Sequence, residues 1–407
     1  MRYIDNPEAR CYPCIMSGAP SALAKYRIPG SRLWDFLRES IKPALKKTGG
    51  AKVYHTIAEK YHWGKVFLNY LLMRNRRISQ WLNIGAWPQS LYIEGTNICN
   101  ASCVFCAYPQ MERPKKIMPI EDYKQVIDQY VRMGGDEVDL TPIVGDPFVD
   151  RYLFDRMDYL DSIARIRRFH FFTNAILMKP DKYMRMLRYG AKLTVYVSFG
   201  GFDRETYRRV MGVDKFQEVA DSIRGFIEAK RNNGSRIGIQ VNLRIPPGNN
   251  QGEFWEYLQA CVPAGLITID SVDAFDSWAG MIRDQDLRLA GLAPRPMPVK
   301  KGPCHRLITS PVVLADGRVN ACACRDVEAQ LIIGDLKSQT LDQVLSGSEL
   351  HDLIERHDRG DLPEVCRRCT YHDSLYPHWM QGCLHPLFAR VFGGGITKGL
   401  SQGSKVQ

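Results

Sequence analysis

The chain has 407 residues, 45% of them apolar, enough to bury one large core and a smaller one, so it is neither disordered nor fibrous. No run of uncharged apolar residues approaches the roughly 18 that cross a bilayer, and the opening stretch from Met1 to Cys14 lacks the apolar centre of a signal peptide, so a cytoplasmic protein is expected. The net charge of +11 is concentrated between Lys25 and Arg77, where thirteen Lys and Arg face only Asp35, Glu39 and Glu59.

That charge predicts a helical, basic N-terminal extension over residues 1–88. It either makes a peripheral contact with an anionic membrane surface or partner, or is a solvated face; no nucleic-acid partner is expected. Between Ser90 and Phe275, short β-rich apolar runs alternate with segments of helical periodicity. Strands are predicted at Ser90–Thr96, Glu137–Ile143, Arg168–Thr173, Leu193–Phe199, Ile237–Ile245 and Leu266–Phe275. Helices fall between them at Ile120–Met133, Tyr152–Ile163, Pro180–Tyr189, Phe216–Arg231 and Glu253–Ala260. The alternation predicts an α/β fold, a partial TIM-like barrel of six β/α units over residues 89–293, with its chemistry at the carboxyl ends of the strands. Pro294, Pro296, Pro298 and Gly302 mark a linker into a small cysteine-rich domain over 302–383, and residues 384–407 form a Gly-rich tail.

Twelve cysteines without an export signal point toward metal binding or catalysis and away from disulfides. Cys99, Cys103 and Cys106 follow the first predicted strand. Three thiolates hold three irons of a 4Fe-4S cube and leave the fourth open for chemistry; the bland alternative is a zinc knuckle or buried thiols. Further on, Cys304, Gly317, Cys322, Cys366 and Cys369 supply four thiolates from two pieces of chain, enough to saturate a second 4Fe-4S cluster or, alternatively, a zinc ribbon. Cys11 and Cys14 form an isolated CxxC, a weak metal signal, and Cys261, Cys324 and Cys383 stand outside both sets.

The CxxxCxxC loop, with Phe105 before its last cysteine, resembles the radical S-adenosylmethionine superfamily over Leu91 to Phe275. The later cysteines resemble that superfamily's SPASM extension in its shortened twitch form, since no cysteine falls between 370 and 382. The resemblance implies that S-adenosylmethionine chelates the open iron and that one electron, from a reductant such as flavodoxin or ferredoxin, releases a 5′-deoxyadenosyl radical. It also implies cofactor contacts at Gly145, Asp146 and Pro147, where Asp146 replaces the usual Glu that receives the ammonium, at Asn174 and at Ser198. The family's adenine-contacting element on the fifth strand is not evident in Ile239–Arg244. Arg244, Asp273, Asp276 and Trp278 follow the fifth and sixth strands as substrate-facing candidates, or as turn residues. An unligated thiol, Cys324 or Cys261, would return a hydrogen atom in an epimerisation. By this resemblance the expected function is dehydrogenation or epimerisation of a sugar-like or cyclitol small molecule, and the basic N-terminal part extends the expectation to an anionic one. A peptide maturase and a non-catalytic iron-sulfur or zinc scaffold are the alternatives.

Overall fold

The computed structural model describes Tyr70, residues 90–141 and residues 143–375. The basic N-terminal stretch apart from Tyr70, with Cys11 and Cys14, and the tail with Cys383 lie outside the described residues. Tyr70 donates its hydroxyl hydrogen bond to the Asp358 carboxylate at 2.7 Å.

Six strands run parallel in chain order: β1 (Leu91–Ile93), β2 (Glu137–Asp139), β3 (Arg168–Thr173), β4 (Leu193–Phe199), β5 (Gly238–Leu243) and β6 (Thr268–Ser271). Helices α1 (Ile120–Arg132), α2 (Leu153–Ser162), α3 (Pro180–Met186), α4 (Arg204–Met211), α5 (Phe216–Asn233) and α6 (Glu253–Cys261) make the crossovers. This is the mixed α/β, partial barrel expected of the alternation. Along β3 and β4 the outward residues Phe169, Phe171, Leu193, Val195, Val197 and Phe199 are fully buried under the helices. Between them Arg168, His170, Phe172, Tyr196 and Ser198 are only half-buried. Period-two alternation thus produces a dry outer layer and a polar barrel interior, where Arg168 pairs with Glu137 at 2.8 Å and His170 with Asp139 at 3.0 Å.

The sheet does not stop at β6. A short helix, α8 (Arg306–Thr309), leads into β7 (Val312–Val313), which lies parallel against β1, and β8 (Arg318–Asn320) and β9 (Ile332–Asp335) continue antiparallel. The cysteine-rich unit therefore extends the barrel's own nine-stranded sheet. The Pro-rich linker is anchored as well. Arg295 donates its backbone N–H to Phe275 at 2.7 Å and Phe275 donates to Ala293 at 2.8 Å, past which the short helix α7 (Asp284–Leu289) is folded in. The joint between the two parts is Glu94, at the end of β1. It is wholly buried, accepts two hydrogen bonds from Arg113 at 2.9 and 2.7 Å, and accepts a third from the backbone of Ala315 at 3.2 Å. Helices α9 (Leu341–Leu345), α10 (Ser348–Asp358) and α11 (Glu364–Arg368) close the C-terminal part. Among the described residues no helix is long and apolar enough to cross a membrane.

Candidate active site

One cavity at the carboxyl ends of the strands is lined by Cys99, Cys103, Cys106, Phe105, Gly145, Asp146, Asn174 and Ser198. The cysteine loop is pinned from below by α4. Val104 donates its N–H to Val210 at 3.0 Å, and Gly212, which ends α4 in the left-handed conformation (φ 70°), passes so close that an added Cβ would lie 2.7 Å from the Ser102 carbonyl carbon. Only glycine fits both the conformation and the space. Gly145 (φ 122°) plays a similar part from the other side, where an added Cβ would crowd Asn97 and Ile98 at 3.0 and 3.1 Å in a backbone conformation that favours glycine, and the next residue, Asp146, donates its N–H to Ile98 at 2.9 Å.

Asp146 is buried, and its carboxylate accepts from the Phe148 backbone at 2.9 Å, the Thr173 hydroxyl at 2.9 Å and the Asn174 backbone at 2.8 Å. A carboxylate offers about four acceptor positions, so three are spent tying the ends of β2 and β3 together, and one remains. Pro147 opens the turn that this carboxylate caps. Asn174 donates to Asn100 at 2.8 Å and points its amide toward the Cys99 sulfur at 3.8 Å; its neighbour Ala175 has a positive φ of 61°, a conformation uncommon outside glycine.

Burial pushes the Cys99 thiol up to about 12, with Asp146 adding to it, and pushes Cys106 up to about 11. Cys103 is raised by burial and by both other cysteines. Three half-buried thiols that oppose one another's ionisation become thiolates when positive iron sits among them, so this donor set fits a cluster. The second set behaves alike. Burial raises Cys304 to about 12 and drives Cys366 upward, reinforced by Cys304 and Cys369; Cys322 is raised chiefly by its hydrogen bond with Cys324, and Cys304 adds to it. The structure thereby brings together all four cysteines of the later set. Tyr371 donates its N–H to the Cys369 sulfur at 3.3 Å and Cys324 donates its own to the Cys322 sulfur at 3.4 Å, the backbone contacts usual around cluster sulfurs. Among the described residues no group of three His, Cys, Asp or Glu is placed to hold a single metal ion.

The same cavity takes in Arg244, Asp276, Trp278 and Cys324. Trp278 donates its indole N–H to the Phe105 carbonyl at 2.8 Å, joining the loop after β6 to the cysteine loop, and it holds a positive φ of 48° to do so. Asp273 is exposed and stands off the cavity wall. Cys261 is also separated from it: it ends α6 in the core under the helices, 3.9 Å from Arg231. Arg295, Arg325, Tyr371 and Asp139 line the cavity without having been singled out in the sequence. Arg325 carried one usable signal, its place directly after the Cys-Ala-Cys of the auxiliary set; Arg295 sat in a stretch that reads as linker.

Comparison with known proteins agrees with this layout. The model of the radical SAM superfamily matches residues 93–261, and that of SPASM, an iron-sulfur cluster-binding domain, matches residues 304–370. Among curated proteins, a probable GTP 3′,8-cyclase of Methanothermobacter marburgensis is 26% identical over 44% of this chain and 55% of its own length. Another probable GTP 3′,8-cyclase, of Saccharolobus islandicus, is 29% identical over 46% of this chain and 56% of its own. The chain thus spans about half the length of the curated relatives it matches. A solved structure titled as BtrN in complex with AdoMet and 2-DOIA covers 70% of this chain and 93% of its own at 14% identity and a TM-score of 0.46. The superfamily's cofactors are a 4Fe-4S cluster and S-adenosylmethionine, and the SPASM domain adds auxiliary iron-sulfur binding. A three-cysteine loop after the first strand of a parallel barrel, with a second cysteine set built onto the barrel's edge, places the chain in the radical SAM superfamily as an enzyme with a C-terminal SPASM domain.

Proposed function

We propose that the chain removes a hydrogen atom from a C–H bond of a polar, sugar-like small molecule held in this cavity, and that the product is two electrons more oxidised. The observation that carries the reading is the composition of one wall. Cys324 and Tyr371, two residues beyond Cys322 and Cys369 respectively, line the same cavity as Cys99, Cys103 and Cys106. A substrate there touches the first cysteine set and lies against residues two positions along the chain from two cysteines of the second. We assign Cys304, Cys322, Cys366 and Cys369 to one auxiliary 4Fe-4S cluster of the twitch kind, and Cys99, Cys103 and Cys106 to the catalytic one. Bound at that catalytic site and reduced by a flavodoxin or ferredoxin, the cluster and S-adenosylmethionine supply hydrogen-atom abstraction.

The chain's own residues do the rest. Gly145 lets the strand end approach the cysteine loop, and the remaining acceptor position of Asp146, with Asn174 and Ser198, offers polar contacts to the cofactor. Oxidation of a carbinol needs a hydrogen atom, a proton and an electron removed. Asp276 lines the cavity and accepts the proton from the substrate hydroxyl; the electron has an acceptor site two residues behind Cys324. Epimerisation is the second reading, supported by Cys324: its thiol lies on the wall while Cys261 does not.

The test is to incubate reconstituted protein with reductant, S-adenosylmethionine and candidate sugars, cyclitols and GTP, the last because curated relatives are named for it. Release of 5′-deoxyadenosine with a product two mass units lighter is expected. A product of unchanged oxidation level carrying one solvent deuterium would replace dehydrogenation by epimerisation, and a cyclised GTP would replace both.

A further inference from the structure

Three guanidinium groups, those of Arg244, Arg295 and Arg325, line the cavity. They differ in what balances them. Arg325 donates to Asp276 at 2.6 Å, and its guanidinium lies 4.2 Å from the Tyr371 ring centre and 4.5 Å from that of Trp278, so it is both neutralised and fixed in place. Arg244, at the end of β5, has no carboxylate partner: its guanidinium lies 5.9 Å from the Phe105 ring centre, and its Nε is buried and without a hydrogen bond. Among the described residues no carboxylate reaches it at ion-pair distance; Asp270 and Asp276 act on it only from farther away, while Arg325 repels it. Arg295 lies over the same Tyr371 ring at 4.9 Å, and among the described residues no carboxylate reaches it at ion-pair distance either, Asp373 acting on it only from farther away.

The other carboxylates on the wall are already engaged. Asp139 is held by His170 at 3.0 Å and by the Thr141 N–H at 2.7 Å, and Asp146 by its three donors. Two positive charges are therefore left without a direct ion-pair partner in a partly desolvated cavity, an arrangement that is costly unless a ligand completes it. A phosphate monoester is close to a dianion at neutral pH and matches that charge, whereas a carboxylate supplies half of it. The planar guanidinium fork also suits phosphate oxygens, which it grips through paired N–H groups.

We propose that Arg244, Arg295 and Arg325 form a subsite for a phosphate monoester carried by the substrate, with Arg244 and Arg295 providing the charge and Arg325, braced by Asp276 and Tyr371, providing a fixed donor. This rests on the reading that the cavity holds the substrate.

The test uses the reconstituted full chain saturated with S-adenosylmethionine and titrates inorganic phosphate by calorimetry. Saturable binding is expected, weakened roughly tenfold or more by Arg244→Gln and by Arg295→Gln and weakened less by Arg244→Lys. Acetate, as a carboxylate probe, should bind at least tenfold more weakly than phosphate. Absence of saturable phosphate binding, binding that survives both Gln variants, or acetate bound as tightly as phosphate would overturn the proposal. So would an Arg244→Gln variant that loses S-adenosylmethionine while keeping phosphate, which would assign this arginine to the cofactor. Phenylglyoxal labelling of the wild-type chain gives a readout that needs no variant: phosphate, and not acetate, should protect Arg244 and Arg295, and equal labelling with and without phosphate would count against the subsite. Neither measurement involves turnover, so a failure to release 5′-deoxyadenosine would bear on the proposed reaction alone.

Discussion

Replacing Gly212 by Ala tests whether the cysteine loop owes its geometry to a helix more than a hundred residues away in sequence. Both Gly212 (φ 70°) and Gly234 (φ 60°) end helices in the left-handed conformation, so a Cβ at either site costs about 1–2 kcal/mol of backbone strain. The two sites differ in space. At Gly234 nothing lies within 4 Å of the added carbon, whereas at Gly212 it meets the Ser102 carbonyl carbon at 2.7 Å and the Ser102 Cβ at 3.1 Å, with the carbonyl oxygen nearer still. Ordinary contact begins near 3.4 Å, so the loop must retreat by about 1 Å, and Ser102 is bonded to Cys103. Displacements of that size at a reacting centre cost on the order of 100-fold in rate. Gly234→Ala should lower the melting temperature slightly and keep full iron. Gly212→Ala should lose much of the N-terminal cluster's iron, roughly four per chain, and release 5′-deoxyadenosine on the order of 100-fold more slowly. Iron assay, visible absorption and chromatography of the nucleoside decide it. A Gly212→Ala protein with wild-type iron and wild-type cleavage would refute the reasoning, and equal losses in the two variants would reduce it to backbone strain.

Replacing Cys99, Cys103 and Cys106 together by Ala should remove about four of roughly eight irons and abolish S-adenosylmethionine cleavage; zinc at the remaining four cysteines, found by metal analysis, would sink the second cluster. Arg113→Gln leaves the Glu94 carboxylate buried without its charge partner and should cost about 3–5 kcal/mol in chemical denaturation, far more than a surface pair such as Arg204–Asp214. For His170, burial opposes the proton, but the Asp139 charge at 3.0 Å prevails and holds the imidazole above its ordinary value. The folded form therefore binds the proton more tightly than the unfolded one, so this contribution to stability is complete below the unfolded value near 6.5 and is lost as pH rises through the folded one. Asp139→Asn should bring the histidine NMR titration below 6.5, and an unchanged midpoint would disprove the pairing.

How much of this was legible in the sequence depended on what each residue faces. Strands β3 and β4 match the expected ranges to the residue, because their alternation of Phe169, Phe171, Leu193, Val195, Val197 and Phe199 with half-buried residues records burial directly. β1 is shorter than expected because Glu94 leaves the pattern to meet Arg113, and β2 ends at Asp139 because that side chain turns the backbone by accepting from Thr141. Helix α4 was not expected at all: RETYRRVM is dominated by charge, and its signals are the Asp203 cap, whose side chain accepts from Thr206, and the left-handed Gly212. Asp146 reads in sequence as a substituted ligand to the cofactor, while the structure adds one donor from its own turn and two from the end of β3 that no local pattern records. Arg295 was invisible for the same reason, and Arg325 nearly so but for its place after Cys324: a charged residue in a loop looks alike whether it meets solvent or a shared cavity.

The continuity of the sheet has a consequence for electron transfer. In a protein whose auxiliary cysteines hung on a flexible linker, their separation from the catalytic loop would vary with every hinge motion. Here β7 is hydrogen-bonded in parallel to β1, the strand that leads directly into Cys99, and α8, which opens two residues after Cys304, leads into β7. Glu94 clamps the junction by accepting from Arg113 and from Ala315 at once, and Arg113 in turn donates to the Val327 carbonyl at 2.9 Å, beyond Cys322 and Cys324. The same few buried groups therefore fix both cysteine sets to one strand end. Loss of that clamp should alter the spacing between the sets before it unfolds either. A substrate radical formed beside Cys106 would then keep its hydrogen acceptor and lose its electron acceptor, so Arg113→Gln should release 5′-deoxyadenosine in excess over oxidised product. If nucleoside and product fall together in that variant, the clamp is a matter of stability alone.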